Sequence, residues 1–312
     1  MGRRIRTNEY FARKKTIATL QATKSQTKTA DLLRISFSQV HRIMSRAVAL
    51  GLRRRAPDSR YYYLSIDEKS ILKGHKYITV LSDEQTGIVI DVIENRTDES
   101  VEQLCQTALN EPQRAAVKTV CSDMWKPYIK GIKDWFPNAL NCHDPFHCVG
   151  YLNKAVDKVR KREVKKHEDL RRTKWLFLKD KANFTDEQYV KFEAIQDANY
   201  EVSRAWLIKE NFRDILKRNT SENTLALFYL WKQNAKNANI KEIDEVVALF
   251  ERHEKGITNA IKTGANNARA ERLNGSIQEI KSIGRGYRSA ENIRIAILFF
   301  YGNLDLLSHN SS

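Results

Sequence analysis

The sequence predicts an α/β protein: a mixed sheet with helices, interrupted by an all-helical insertion and preceded by a helix-turn-helix. Three observations predict it. From Tyr61 to Asp144, short apolar runs of strand length alternate with turn signals and two amphipathic stretches. From residue 145 to about 262, strand signals give way to apolar residues recurring every three or four positions. Between Thr27 and Leu52, two short helical patterns flank a tight turn. The expected organisation is a helix-turn-helix region over 1–57 and the first part of a sheet domain over 58–149. A helical insertion over 150–263 and a closing part of the sheet domain over 264–312 follow.

In the first region, Thr29, Ala30, Leu32 and Leu33 suit a short helix, and Ile35 and Ser36 suit the turn, with Ser36 as N-cap. The second helix is expected to bury Phe37, Val40, Met44 and Ala47, with Ile43 at the edge of that face. Ser38, Gln39, His41 and Arg42 are then outward, with side chains suited to base edges in a major groove. A small helical hairpin with no nucleic-acid role has the same pattern. "RRRAPDSR", Arg53 to Arg60, reads as a linker.

The next elements follow from a change of period. "YYYLSIDEK" reads as a strand ending at Asp67, and "KYITVLSD" and "GIVIDVIE" as two more, joined by a turn around Glu84 to Gly87. "DESVEQLCQTAL" reads as a helix with Asp98 near its start, and "AVKTVCSD" as a buried strand ending at Asp123. "MWKPYIKGIKDWF" is a short helix, and "ALNCHD" a last strand ending at Asp144. The first three strands suit an antiparallel meander. The last two need crossovers and so are expected to add in parallel. "FTDEQYVKFEAIQ", "NYEVSRAWLIKENFRDILK", "TLALFYLWKQNAK" and "EIDEVVALFERHEKGITNAI" are amphipathic helices of the insertion. The strongly basic "LNKAVDKVRKREVKKHEDLRRTKWLFLK" precedes them, with Trp175 and Phe177 suited to burial or stacking. After the insertion, Ala270, Leu273, Ile277 and Ile280 form an apolar helical seam beside a polar stripe of Asn267, Glu271, Asn274, Gln278 and Lys281. No internal repeat or low-complexity stretch interrupts the chain.

The net charge is +16 over 312 residues, and the sequence pI is about 9.6. A bias this strong points to a polyanionic partner, nucleic acid above all, because each neutralised phosphate releases counterions. A soluble protein that is simply basic is the bland alternative. Membrane binding is the weaker one, since no apolar run approaches the ~20 residues that span a bilayer. The N-terminus has no apolar segment after its charges, and Arg6 stands where a myristoylation signal needs Ser or Thr. Cys105, Cys121, Cys142 and Cys148 form no CxxC pair, which suits free thiols in a reducing cytoplasm. "NCHDPFHCVG" clusters two cysteines with His143 and His147; a zinc site is conceivable there, on an unusual spacing.

Three carboxylates carry the chemistry. Asp67 and Asp123 end strands, and Glu271 lies on the seam helix. Magnesium wants hard oxygen ligands and takes a few carboxylates plus substrate phosphate. Three carboxylates from two strands and one helix can hold two such ions for an in-line displacement at phosphorus. Taken singly, an Asp at a strand end is more often a turn residue or a helix cap. Only convergence on one sheet makes the three a site.

"IDE" at Ile66–Glu68, "SDMWKPY" at Ser122–Tyr128, "FPNALNCHDPFHCVGYLNKAVDKVR" at Phe136–Arg160 and "NARAERLNGSIQEIKSIGRGYRS" at Asn267–Ser289 resemble DDE transposases of bacterial insertion sequences. The group resembled is the ISL3 family, and the resemblance covers nearly the whole chain from about residue 10. It implies a ribonuclease-H-like core interrupted by the helical insertion, with Asp67, Asp123 and Glu271 as a metal-binding triad using Mg2+, or Mn2+ as a substitute. Asp144 and His147 match the family's "DxFH" segment and are implied as supporting or DNA-positioning residues; a helix N-terminal histidine with no catalytic part is the alternative for His147. Asn267, Asn274, Lys281, Arg285 and Arg288 are implied to line the DNA strand beside Glu271. The implied partners are double-stranded DNA, as element ends and target, and further copies of the chain in a dimer or higher assembly. The implied location is the bacterial cytoplasm, on the nucleoid. Family members usually carry a cysteine-rich zinc segment ahead of the helix-turn-helix, and Arg3 to Arg6 resemble residues that directly follow it. An N-terminally shortened member, or a short variant, is therefore expected. Two other functions stay in view: a catalytically silent DNA-binding regulator of the element, and a metal-dependent nuclease acting on branched DNA.

Overall fold

The computed structural model describes residues 2–72, 76–179, 181–218, 220, 222–283 and 289–307. It opens with three helices, α1 (Gly2–Thr23), α2 (Gln26–Leu33) and α3 (Phe37–Arg54). Helix α1 had no expectation in the sequence; among its described side chains, Ile17 and Leu20 supply the buried face. The Ser25 hydroxyl caps α2 by accepting from the Lys28 N–H. Arg34 then turns the chain in the left-handed region at φ 54°. Ser36 caps α3 as expected: its Oγ accepts from Gln39 N at 3.1 Å, and Gln39 Oε1 accepts from Ser36 N at 2.9 Å. Val40, Met44 and Ala47 are buried, joined by Val48. Phe37 is a correction. It is 53% exposed, because it opens the helix before the buried stripe starts. Its ring instead lies parallel to that of His41, one turn on, with centroids 6.4 Å apart.

The sheet strands are β1 (Tyr63–Leu72), β2 (Lys76–Asp83), β3 (Val89–Glu94), β4 (Thr119–Ser122) and β5 (Leu140–His143). Helices α4 (Asp98–Thr107) and α5 (Glu111–Ala116) precede β4, and α6 (Lys126–Trp135) follows it. The order across the sheet is β3-β2-β1-β4-β5. As expected, the first three strands are antiparallel, and β4 joins β1 in parallel. Asp83 shapes the β2–β3 turn by accepting from Thr86 N at 2.9 Å, and Gly87 follows at φ 77°.

Strand β1 does not end at Asp67. Its hydrogen bonding to β2 continues to Leu72, because an antiparallel partner satisfies the backbone on that side whatever happens on the other. What does end near Asp67 is the parallel pairing, whose last pair is Ile66 with Ser122.

Alternation along the strands divides the apolar residues between two cores. Leu64, Ile66, Leu81, Ile90 and Val120 pack with Val101, Leu104, Tyr128 and Ile132 of α4 and α6. Ile78, Val80, Val89 and Val92 face the other way. There they meet α14 (Ala268–Ile283), α15 (Ala290–Tyr301) and the three N-terminal helices in one cluster. The bidentate pair of Arg294 with Asp91, at 2.7 and 3.1 Å, ties α15 to β3. The guanidinium of Arg55, just past α3, donates to the Ile90 carbonyl at 2.7 Å. The N-terminal helices thus share a core with the sheet.

The chain divides into two compact units, one of residues 1–141 with 267–312, the other of residues 142–266. The second unit takes in residues 142–149 and 264–266, which the expected organisation had placed with the sheet domain on either side of an insertion over 150–263. The second unit holds α7 (Pro145–Glu163), α8 (Lys174–Leu178), α9 (Asp186–Asp197), α10 (Glu201–Lys217), α11 (Glu222–Asn237), α12 (Lys241–Arg252) and α13 (Glu254–Thr263). Its core is aromatic, with Phe177, Phe192, Phe212, Phe228, Trp231 and Phe250 buried. Phe177 is buried as the sequence allowed, while Trp175 is exposed. The helix expected over Glu242 to Ile261 is two helices that break at His253, whose φ of −112° and ψ of 15° leave the helical region. Among the described residues, no helix is long and apolar enough to cross a membrane.

Candidate active site

The apolar seam read in the sequence is the one α14 buries: Ala270, Leu273, Ile277 and Ile280 are all inside. That burial aims the neighbouring polar stripe across β1. At its start, the Ser65 hydroxyl donates to Asn267 Oδ1 at 2.9 Å, both side chains being buried. Two turns later, Asn274 Nδ2 donates to Asp67 Oδ2 at 2.6 Å. Ser65 and Asp67 stand two residues apart, so they share one face of β1. Asn267 and Asn274 stand seven apart, so they share one face of α14. Glu271 lies between the two amides on the same helix face. Two hydrogen bonds from one helix to one strand therefore bracket Glu271 and hold it over the Ser65–Asp67 side of β1.

Asp123 comes from the neighbouring strand. Ile66 pairs with Ser122 in the parallel ladder, so Asp67 and Asp123 are the next residue on each chain. Asp123 is partly exposed, and its Oδ1 accepts from the Met124 N–H at 2.6 Å. Asp67 is 8% exposed. Lys281, two turns beyond Asn274, is partly buried on the same helix. Arg285 and Arg288 lie outside the described residues.

The donor set suits a hard divalent cation. Asp67, Asp123 and Glu271 offer only carboxylate oxygen, and the Asn274 amide already orients the Asp67 carboxylate. Among the described residues, no three His, Cys, Asp or Glu side chains close around a common point. The fit is therefore one of chemistry and of placement on one face.

Asp144 and His147 belong to the second unit. Asp144 is buried and caps α7 by accepting from Phe146 N at 3.4 Å, and His147 Nε2 lies 3.9 Å from Asp144 Oδ2. In the same unit the buried His143 packs edge-on against His253, with ring centroids 5.2 Å apart. Cys142 and Cys148 are buried and outside any disulfide, and Cys142 Sγ lies 3.7 Å from Thr263 Oγ1. Burial pushes the Cys142 thiol up to about 11.

On α3, Ser38, Gln39 and Arg42 are exposed and His41 is partly buried. The Gln39 oxygen serves the helix cap, and His41 Nδ1 lies 3.2 Å from Gln26 Oε1. Sequence reasoning missed Ser65. Its signal was available, since it is the small polar residue two before Asp67 on a strand whose alternate positions, Leu64 and Ile66, are apolar.

A family model described as Transposase matches residues 64–297. The chain is 26% identical over 317 residues to the transposase for insertion sequence element IS1557 from two strains of Mycobacterium tuberculosis, covering 92% of this chain and 71% of that protein. It is 25% identical over 248 residues to the transposase for insertion sequence element IS1001 of Bordetella parapertussis, covering 76% of this chain and 60% of that one.

Proposed function

This chain belongs to the ISL3 family of DDE transposases, and we propose that it cuts DNA at the ends of its insertion sequence and joins the freed 3′-hydroxyl to target DNA, with Asp67, Asp123 and Glu271 as its catalytic carboxylates. The observation that carries this reading is the bracket about Glu271, Ser65 with Asn267 and Asn274 with Asp67. It brings residues some two hundred positions apart onto one sheet face. The meander followed by a crossover-added parallel strand supports a ribonuclease-H-like core. The capped α2–α3 pair with its exposed Ser38, Gln39 and Arg42 supports a helix-turn-helix that reads base edges.

In this mechanism the three carboxylates would hold divalent metal, Mg2+ with Mn2+ as a substitute. Bound there, such ions lower the pKa of an attacking water and neutralise charge on the leaving oxygen. The protein's own part is positional. Asn274 holds Asp67 Oδ2, and Ser65 fixes the start of α14 through Asn267. Cleavage forms a bond from water oxygen to phosphorus and releases the 3′ oxygen, which takes a proton. Joining repeats the displacement: that 3′-hydroxyl forms a bond to a target phosphorus, the target's own P–O3′ bond breaks, and the released 3′ oxygen takes the proton. Lys281 with Arg285 and Arg288, and Asp144 with His147, are proposed to position the DNA; backbone contacts from basic residues set register rather than sequence. Pairing of two ends implies a dimer or higher assembly on DNA.

The test is a cleavage and joining assay on duplex carrying the element's flanking sequence, with Mg2+ or Mn2+, beside a Glu271→Gln control. Cuts at the element ends that vanish in the control support the reading. Specific binding with no cuts by either protein would leave a DNA-binding regulator instead.

A further inference from the structure

Beside the carboxylates stands a second group of side chains that the chemistry above does not use. Glu68 follows Asp67 and, by strand alternation, faces the other side of the sheet. Its carboxylate takes both Arg96 Nη1 hydrogen bonds, at 2.9 and 2.7 Å, and this pairing raises the Arg96 pKa. The Arg96 guanidinium lies over two rings, Tyr77 at 4.6 Å and Trp125 at 4.9 Å from their centroids. Trp125 is two residues past Asp123, at the N-cap of α6. Its Nε1 donates to the Arg96 carbonyl at 3.1 Å.

The indole is thus held by its edge and covered on one face, yet it is 41% exposed. Tethering a large aromatic this firmly while leaving it open to water forgoes the gain of burying it. The strand pairing changes next to it. The parallel partner of β1 stops at Ser122, while β1 continues to Leu72. Past Ile66, then, β1 lacks its β4 neighbour on that edge. A strand crossing there passes from Asp67 and Asp123 on one face towards Trp125 on the other.

We propose that Trp125, backed by Arg96, is a stacking platform for an unpaired nucleobase of the DNA end beside the scissile phosphate. The inference rests on the catalytic reading of Asp67 and Asp123. A flat indole with a cation behind it suits any base, because every base offers a π-face. Arg96 is neutralised by Glu68, so it stiffens and polarises the ring without adding net charge, and the affinity of the platform is stacking.

The experiment places 5-iododeoxyuridine at successive positions around the element end and irradiates its complex with the full chain. An Asp67→Asn background keeps the DNA whole. One position should crosslink to the peptide that contains Trp125. The crosslink should be lost in Asp67→Asn/Trp125→Ala and kept in Asp67→Asn/Trp125→Phe. In otherwise unaltered protein, Trp125→Ala should slow cleavage about 5- to 150-fold, matching loss of one stacked base. A mismatch that unpairs that nucleotide should restore most of the rate. Crosslinks mapping only elsewhere, undiminished cutting by Trp125→Ala, or a loss the mismatch does not relieve would each overturn the platform. The crosslink is read on bound, uncut DNA, so it is separable from the catalytic reading, which fails instead if Asp67→Asn still cuts.

Discussion

Asn274 Nδ2 lies 2.6 Å from Asp67 Oδ2, linking α14 to β1 across 207 positions of sequence. One oxygen of Asp67 is thereby fixed, and the helix that carries Glu271 is fixed with it. Asn274→Ala should leave DNA binding intact and reduce cleavage about 10- to 100-fold, the usual cost of removing a partner that orients a metal ligand. The reduction should shrink as Mg2+ is raised. A metal titration of the cleavage rate checks it; unchanged metal dependence would assign Asn274 to packing alone.

Asp67→Asn is nearly isosteric: its oxygen can keep the Glu68 N–H, and the Asn274 amide can turn to accept from the new Nδ2, so the fold should survive. Cleavage should disappear while binding to the element end persists, as read by a gel shift beside the cleavage assay. Loss of binding as well would make Asp67 a structural residue.

Arg42 is exposed on α3, one turn beyond the capped start of that helix. Arg42→Ala should weaken binding to the element end by about 1–3 kcal/mol and relax sequence preference at one position. Competition binding against end and random duplexes measures both. Equal weakening on the two would mean that Arg42 touches only phosphate.

Gly256 sits against the buried His143 ring, where an added Cβ would stand 2.3 Å from His143 Cδ2. Gly256→Ala should cost about 1–3 kcal/mol by overpacking, visible as a lower unfolding midpoint in urea. The double variant with His143→Ala should recover part of that loss, because the obstructing ring is gone. A midpoint unmoved by Gly256→Ala would show that α13 and the end of β5 part easily there.

All four cysteines are buried and outside any disulfide. A thiol reagent at neutral pH should find almost none in the native chain and four after denaturation. Burial raises Cys105 to about 12 and Cys142 to about 11 from an ordinary 9.0. Above pH 9 the unfolded chain therefore loses thiol protons that the folded chain keeps. Their contribution to stability is complete below about pH 9 and is lost as pH rises through 11 and 12. Stability in urea from pH 8 to 11, compared with a Cys142→Ala variant, isolates the Cys142 share.

Much of the architecture was legible locally. The five strands, the Ser36 cap and the apolar seam of α14 announce themselves because period and capping chemistry act within a few residues. The misreadings are also physical. Phe37 looked buried because the helical period places it on the apolar face, but the core ends before the first turn. Asp67 looked like a strand end because polar residues follow it, yet the pairing with β2 carries β1 on to Leu72. His253 interrupts a pattern that reads as one continuous helix.

The sequence by itself determined the kind of protein: a strongly basic chain with sheet, insertion and motif order enough to name a family. It also nominated Asp67, Asp123 and Glu271 one at a time. Only the tertiary structure decided how they are arranged. The Ser65–Asn267 and Asn274–Asp67 bonds, the early end of β4, and the Glu68–Arg96–Trp125 group all join residues far apart in the chain. Periodicity reports which face a residue takes on its own element. Which faces then meet is set by strand register and by the shared burial of the helices that cover them, and neither is a local property.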